Sequence, residues 1–303
     1  MKGEVSLAIK DIISKIEGGI PFNCYGAAYI DLQSKEIDAY QVFNDNEVEF
    51  DENIYFDLAS ITKPLSLGLT KLYHPELFNN EASLLLNHRA GLPFWARLSY
   101  KNWKNQLERF DIKESETVYS DLSALRCMLE VEKKSPLSLQ KLAQEHWPPG
   151  VKHWSELTED DLCPITGLRS ARPIHRVVHD DNAFVLKEYC SHAGLFSTLK
   201  GICLGLQKWF DDGLFNQLIP ELKKKHSRFV GGWDTPAQEN SLAGLGFSPL
   251  TFGHLGFVGN SIWIDLEKKK AKVLLSNSTI AHFYHKPELQ ILRREFGSWV
   301  WKQ

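Results

Sequence analysis

The stretch YFDLASITKPLSLG, residues 55–68, places a serine and a lysine three positions apart, just before a proline. Pro64 lacks an amide hydrogen and is tolerated only near the first turn of a helix, so it ties Ser60 to a helix start. At a helix start the free backbone N–H groups favour a developing negative charge, and Lys63 shares a face with Ser60. The stretch therefore predicts either a nucleophile with its base, or a helix N-cap beside a surface lysine.

The spacing alone does not decide between these two interpretations. Ser-x-x-Lys occurs at Ser60–Lys63, Ser138–Lys141 and Ser197–Lys200, and short motifs of common residues recur by chance. The second and third occurrences fit exposed helix starts, with Ser197 as an N-cap. The rest of the sequence must therefore decide the function of the first.

Composition excludes several classes of protein. The chain has 303 residues, which suffices for one large domain or two lobes, and its net charge of −3 does not predict a nucleic-acid partner. Five scattered cysteines predict neither a disulfide framework nor a structural zinc site. The N-terminus lacks the features of a signal peptide, and no apolar run is long enough to span a bilayer. We expect a cytoplasmic protein, or a periplasmic one if a leader was trimmed, without a cofactor, and the sequence leaves its oligomeric state open.

Strand patterns lie near both ends of the chain, and helical patterns dominate the middle. CYGAAYIDL and EIDAYQVF near the start, and GFVGNSIWIDL and AKVLLSN near the end, read as strands. Helices are predicted at 4–18, 119–132, 138–146, 197–211, 214–226 and the C-terminus, and 147–182 reads as a long irregular loop. We predict an α/β (α+β) fold with a central antiparallel sheet flanked by helices, formed by 1–75 and 240–303, and a helix-rich lobe at 76–239.

Four blocks follow the opening stretch in order: LLNHRAGLP (85–93), VYSDLSALRCMLE (118–130), SHAGLFSTLKG (191–201) and the strand region 252–277. Together they resemble the serine β-lactamase-like, or penicillin-binding-protein, superfamily. The resemblance is greatest to the branch that contains class C β-lactamases, DD-peptidases, esterases and D-amino-acid amidases. It runs from about residue 25 to residue 280 and implies the fold of that superfamily.

The resemblance also implies functional roles. Ser60 takes the place of the acylated nucleophile, and Lys63 that of the group that takes or relays its proton. Tyr119 takes the place of the partner base, a phenol that nearby Lys63 should make more acidic and that can protonate the leaving group. Asp121 stands in the Asn position of the second motif, and His254 in the cationic position of the third, beside Tyr119.

The third motif also implies a site for the substrate. The backbone N–H groups of Ser60 and Phe257 would form the oxyanion hole, and Gly256 would let substrate approach the strand edge. Leu255 replaces the usual Thr, a substitution that weakens recognition of β-lactams and of D-alanine-terminated peptides. Trp233, in GGWDTP, is expected to line the substrate cleft.

The acidic residue of the second motif has a predictable effect on its neighbour. An ionised Asp121 in place of Asn would raise the pKa of Lys63 and hinder its action as a base. This departure and Leu255 support the alternative that the protein is a non-catalytic binding protein with this fold.

The histidines allow a third interpretation. His175 and His179, with Asp180 and Asp181, could offer metal ligands, but the segment lacks the glutamate of H-E-x-x-H, and we expect no metal site. Asp180 and Asn182 are instead expected to bind backbone amides, and His88 is expected to be buried and hydrogen-bonded rather than catalytic.

The residues and the resemblance together predict a serine hydrolase that forms an acyl-enzyme. Its substrate would be a small molecule or peptide with an amide or ester bond, as in a DD-peptidase, a D-amino-acid amidase or an esterase.

Overall fold

The computed structural model describes residues 3–224, 228–238, 240–284 and 286–303. Its α-helices are Glu4–Ser14 (α1), Leu69–Tyr73 (α2), Asn80–Leu86 (α3), Trp103–Glu108 (α4), Asp121–Glu132 (α5), Leu139–Gln144 (α6), Asp181–Leu186 (α7), Leu199–Asp211 (α8), Ile219–Lys224 (α9) and Pro287–Val300 (α10). Its strands are Tyr25–Asp31 (β1), Ile37–Phe43 (β2), Asn46–Val48 (β3), Phe56–Asp57 (β4), Val151–His153 (β5), Leu168–Arg169 (β6), Arg172–Pro173 (β7), Leu195–Ser197 (β8), Phe229–Val230 (β9), Trp233–Asp234 (β10), Thr251–Leu255 (β11), Ser261–Asp265 (β12) and Lys270–Ser276 (β13).

The central sheet is antiparallel and joins the two ends of the chain, as predicted. Its strand order is β3-β2-β1-β13-β12-β11-β10-β9, and β1 pairs with β13 from Tyr25↔Ser276 to Asp31↔Lys270. Both faces of the sheet are covered, which explains why β1 is buried along nearly its whole length. Ala27 packs on one face with α1 and α10, and Ala28 packs on the other face with α8.

The middle of the chain builds a separate helical core. Buried residues between Leu67 and Ala193, mostly from α3, α5, α6 and α7, form this second cluster. From β8 onward the chain packs with the sheet instead, because the apolar side of α8 joins the sheet core. β9 and β10 are also strands of the sheet, although they precede the boundary predicted at residue 240. Helical periodicity identifies the apolar face of α8, but it does not identify the partner that covers it.

Several local predictions can be compared with these elements. Ser138 lies at a helix start, as predicted, and is the N-cap of α6. The N-cap of α8 is Thr198 and not Ser197 as predicted, because Ser197 still belongs to β8. The helix predicted at 214–226 is a 3₁₀ turn followed by α9, and its last two residues lie outside the described part of the chain. No helix within the described ranges is long and apolar enough to cross a bilayer.

Candidate active site

Ser60 lies at the start of a helical segment, as Pro64 predicted. It sits in a short 3₁₀ turn, Ala59–Ile61, which leads into a π-helical turn at Pro64–Gly68 and then into α2. Ala59 adopts a left-handed conformation with φ of 48°, which is strained for a residue with a Cβ. The Asp57 carboxylate accepts the Ala59 N–H at 2.8 Å and so stabilises the bend that presents Ser60.

Lys63 is buried beside Ser60, so the surface-lysine interpretation is wrong. Its side chain is 3% exposed, and Nζ lies 2.7 Å from Asp121 Oδ1. Nζ also donates to Ser60 Oγ at 2.9 Å and to the backbone carbonyl of His192 at 3.2 Å. An ammonium group has three donors, and these three acceptors match them.

The charge of Lys63 is set by two opposing effects. Burial by itself lowers the pKa of this amine, but the Asp121 carboxylate and the contact with Tyr119 outweigh it and raise the pKa above its ordinary value. The direction predicted for Asp121 is therefore confirmed. At neutral pH Lys63 is an ammonium, and it must lose a proton before it can accept one from Ser60.

Tyr119 lies over the same amine, with Lys63 Nζ 4.9 Å from the centre of its ring. Burial raises the pKa of the Tyr119 phenol, and the nearby Lys63 charge and the contact with Ser60 lower it only in part, so the net pKa is raised. The expectation of a more acidic phenol is wrong, because burial outweighs the Lys63 charge. Tyr119 is therefore a protonated phenol in the resting site.

His254 is next to Tyr119, as predicted, but it is not a cation. The two ring centres are 5.9 Å apart, and burial, together with the Lys63 charge, lowers the pKa of His254 to about 3. Its Nδ1 contacts the Leu255 carbonyl at 2.8 Å, while its buried Nε2 has no partner among the described residues. The third motif thus supplies a neutral imidazole.

The turn after β11 is pressed against the segment that carries Ser60. A Cβ on Gly256 would lie 2.7 Å from the Leu58 carbonyl oxygen, and Asn260 Nδ2 donates to the Asp57 carbonyl at 2.7 Å. Gly256 was expected to admit substrate, but the space its missing side chain leaves is filled by protein backbone. The tight contact holds the turn that contains Phe257 against the Leu58 carbonyl, two residues before Ser60.

Trp233 does not line the cleft, and this prediction is wrong. Its side chain is fully buried in the sheet core, with its ring centre 5.7 Å from that of Phe215 and 5.3 Å from that of Phe252. Because β10 is a strand of the central sheet, alternation turns this residue inward.

Leu255 is partly exposed and borders a cavity of about 770 Å³. The cavity has a mixed lining of apolar and charged groups, including Phe247, Trp263 and the Arg228–Asp234 ion pair. Since residues 254 and 255 are neighbours on one strand, their side chains leave opposite faces. Leu255 therefore points away from the face that His254 shares with Tyr119.

The remaining predicted residues have structural roles. His88 is buried and accepts the Ser120 N–H at Nδ1, at 3.2 Å. Asp180 caps α7, and Asn182 accepts the Leu98 N–H at 3.0 Å, so both bind backbone amides as expected.

The alternative metal site is not assembled. Within the described ranges, no three or more His, Cys, Asp or Glu side chains, including those of His175 and His179, are placed to hold a metal ion.

Sequence reasoning missed two contributors to the site. His192 offers its carbonyl to Lys63, and its own ring is paired with Asp180 at 2.9 Å, which fixes the backbone at that point. Asp57 stabilises the bend before Ser60. Asp57 lies within the opening stretch and His192 within the third block, but the sequence does not show which backbone group either residue will contact.

Comparison with solved structures identifies the fold. The chain is similar to the D-amino acid amidase from Ochrobactrum anthropi SV3, complexed with L-phenylalanine amide (17% identity, 97% of this chain and 98% of that chain covered, TM-score 0.65). It is also similar to a class C β-lactamase from Rhodobacter sphaeroides (14%, 96% and 97%, 0.60) and to simvastatin synthase from Aspergillus terreus (13%, 100% and 98%, 0.63).

Sequence comparisons add nothing to this assignment. No family model matches the chain, and no curated protein does. The matches therefore rest on structure, and they show that the chain has the fold of the serine β-lactamase-like superfamily.

Proposed function

We propose that the protein is a serine hydrolase that forms an acyl-enzyme at Ser60, with an uncharged ester or amide as its substrate. The contact between Ser60 Oγ and the buried Lys63 amine, at 2.9 Å, carries this proposal. A nucleophile and a base within hydrogen-bond reach, with the base oriented by further groups, are the requirements of covalent catalysis. Here the orienting groups are Asp121 and the His192 carbonyl.

The proton pathway follows from the charges of the resting site. Once Lys63 has lost a proton, its amine takes the Ser60 hydroxyl proton while Oγ bonds to the substrate carbonyl carbon. Tyr119, a protonated phenol, donates its proton to the leaving oxygen or nitrogen as that bond breaks, and Lys63 reprotonates the phenol. Water then attacks the acyl-enzyme by the reverse sequence and releases the acid.

The proposed substrate is uncharged because, among the described residues of the three motifs, no side chain offers a free cation to a substrate carboxylate. The charge of Lys63 is compensated by Asp121 at 2.7 Å, His254 is neutral, and Leu255 has no hydroxyl. A DD-peptidase or β-lactamase substrate carries a carboxylate near the reacting carbonyl, and these motif residues offer that carboxylate no uncompensated positive charge. An esterase or amidase reaction is therefore the better match.

Exposed aromatic side chains favour a substrate with an apolar group. Phe94 is 69% exposed, and its carbonyl accepts the Asp121 N–H at 3.0 Å. In the turn after β11 and near the C-terminus, Phe257 and Phe283 are 39% and 51% exposed, with ring centres 5.1 Å apart. Exposed aromatic rings offer large apolar surfaces to a ligand.

A second candidate function is binding without catalysis. The ion pair between Lys63 and Asp121 favours it, because a charged lysine is no base. The two functions differ in whether Ser60 can be acylated or phosphonylated.

The test is intact-mass measurement after incubation with a fluorophosphonate, in which Ser60 Oγ bonds to phosphorus and fluoride leaves. We expect one adduct on the native protein and none on Ser60→Ala. The control, Ser138→Ala, should carry one adduct like the native protein. An adduct that persists on Ser60→Ala contradicts the assigned nucleophile. A folded native protein that no ester, amide or fluorophosphonate labels supports the binding function.

A further inference from the structure

A buried arginine of helix α10 contacts the turn that follows β11. Arg293 is 7% exposed, and its Nη2 donates to the Gly256 carbonyl at 3.2 Å and to the Asn260 carbonyl at 2.5 Å. The neighbouring Lys286 donates to the next carbonyl, that of Phe257, at 2.9 Å. Two cations from the C-terminal part of the chain therefore bind successive peptide groups of one turn.

Neither cation has an acidic partner in the part of the chain that the structure describes. Burial lowers the pKa of Arg293 to about 9 with no carboxylate opposing it, and burial followed by the Arg293 charge lowers that of Lys286 to about 8. Both groups are therefore predominantly charged at neutral pH. An unpaired buried charge is costly, so its position calls for a physical explanation.

The position of Arg293 relative to one peptide bond supplies that explanation. The Gly256 carbonyl and the Phe257 N–H belong to the same peptide group. We infer that Arg293 polarises this peptide and thereby strengthens the Phe257 N–H as a donor to the oxyanion formed during acylation of Ser60. A cation bound to the carbonyl oxygen draws electron density away from the amide nitrogen, as in chains of hydrogen bonds that polarise one another.

The surrounding contacts hold this peptide against the segment that carries Ser60. The Phe257 N–H has no acceptor within the described residues. The turn is pressed against the Ser60 segment through the Leu58 carbonyl and the Asn260 side chain. Arg293 is a positioning residue, since it touches the peptide and not the substrate. The inference rests on the proposed function, because it requires an acyl-transfer reaction at Ser60.

Two substitutions of Arg293 separate charge from packing. Arg293→Gln keeps an N–H donor without the charge, and Arg293→Lys keeps the charge on a shorter group. Lys286→Met is the matched control, because Lys286 binds the Phe257 carbonyl and so polarises the following peptide, not the one with the Phe257 N–H. Each full-length variant is compared by thermal unfolding, by single-turnover acylation with p-nitrophenyl butyrate, and by inhibition with phenylboronic acid. Boronate forms a tetrahedral anion on Ser60, whereas the bound ester is neutral.

We expect Arg293→Gln to lower the acylation rate constant and the boronate affinity by about 10- to 100-fold, with little change in ester binding. Arg293→Lys and Lys286→Met should stay within about threefold of the native protein in both measurements. A purely structural role for Arg293 would instead change ester binding and boronate binding alike. Equal losses for the two ligands, or an effect of Lys286→Met as large as that of Arg293→Gln, overturn the inference.

Two further outcomes are decisive. If Arg293→Gln does not fold, Arg293→Lys carries the test, and a tenfold or greater loss of boronate affinity at unchanged ester binding overturns the role of charge. If the native protein is neither acylated nor labelled by fluorophosphonate, the proposed function fails and the inference fails with it. Labelled native protein with uniform losses in Arg293→Gln overturns only the role of Arg293.

Discussion

The two sides of the candidate site differ in whether their positive charge is paired with a carboxylate. On the proton-transfer side, formed by Lys63, Tyr119 and Asp121, the ammonium lies 2.7 Å from a carboxylate. On the turn side, formed by Gly256 and Phe257, Arg293 binds two carbonyl oxygens and no carboxylate among the described residues. The charge of Arg293 is therefore unpaired beside the proposed oxyanion hole. The charge of Lys63, the proposed base, is compensated by Asp121. For the proposed reaction we therefore expect proton removal from Ser60, rather than oxyanion stabilisation, to limit acylation.

The largest expected effect on this comparison comes from the phenol. Tyr119→Phe removes the proton donor for the leaving group, so hydrolysis of an alkyl ester or amide should fall about 100- to 1,000-fold. An activated p-nitrophenyl ester, whose leaving group needs no proton, should lose about tenfold or less. Single-turnover acylation rate constants on the two esters measure the contrast, because deacylation, which would use Tyr119 in reverse, is common to both.

The control for this substitution is Tyr40→Phe, which removes a buried hydroxyl from β2 on the far side of the sheet. It should leave both rates unchanged. Equal losses on both esters after Tyr119→Phe would assign the phenol to activation of Ser60 and not to the leaving group.

The second-largest effect is expected from Asp121, the acidic partner of Lys63, whose replacement should raise the acylation rate. In Asp121→Asn the carboxylate that raises the Lys63 pKa is lost while burial, which lowers it, remains. More free amine is then present at neutral pH, so the acylation rate at pH 7 should rise about tenfold. The native rate should still be climbing above pH 9, whereas the variant should level off at lower pH.

The same substitution, Asp121→Asn, should lower the stability of the folded protein. Because the folded pKa of Lys63 is raised, its contribution to stability is complete below the unfolded value of about 10.4 and is lost as the pH rises through the folded value. Asp121→Asn should therefore lower the free energy of unfolding at pH 7 by about 1–3 kcal/mol, measured by urea denaturation. Asp181→Asn, which alters an exposed carboxylate, is the control. An Asp121→Asn variant whose acylation rate at pH 7 is lower than that of the native protein would show that the carboxylate itself accepts the Ser60 proton.

The same two sides differ in how far sequence could predict them. The Ser60–Lys63 pair and Tyr119 were found from spacing and from the resemblance, because local helix geometry and motif order place them. The protonation of Tyr119 and His254 was not predictable, because it depends on burial, which a motif does not encode. Arg293 was missed because it reaches the turn from a helix near the C-terminus, and only the fold makes that contact. Trp233 was misplaced for a related reason, since a two-residue strand gives too little pattern to show which way its side chains face.

The smallest expected effect tests whether the turn side can be made to accept a carboxylate. Leu255→Thr restores the hydroxyl that the resemblance associates with substrate carboxylates, and Leu255→Val is its matched control of nearly the same shape. Because this side chain leaves the strand on the face opposite His254, we expect penicillin acylation to rise no more than about threefold over Leu255→Val. Competition between penicillin and p-nitrophenyl butyrate, followed by intact mass, measures the change. A tenfold or greater preference for penicillin in Leu255→Thr would show that the missing hydroxyl, and not the compensated charge of Lys63, excludes anionic substrates.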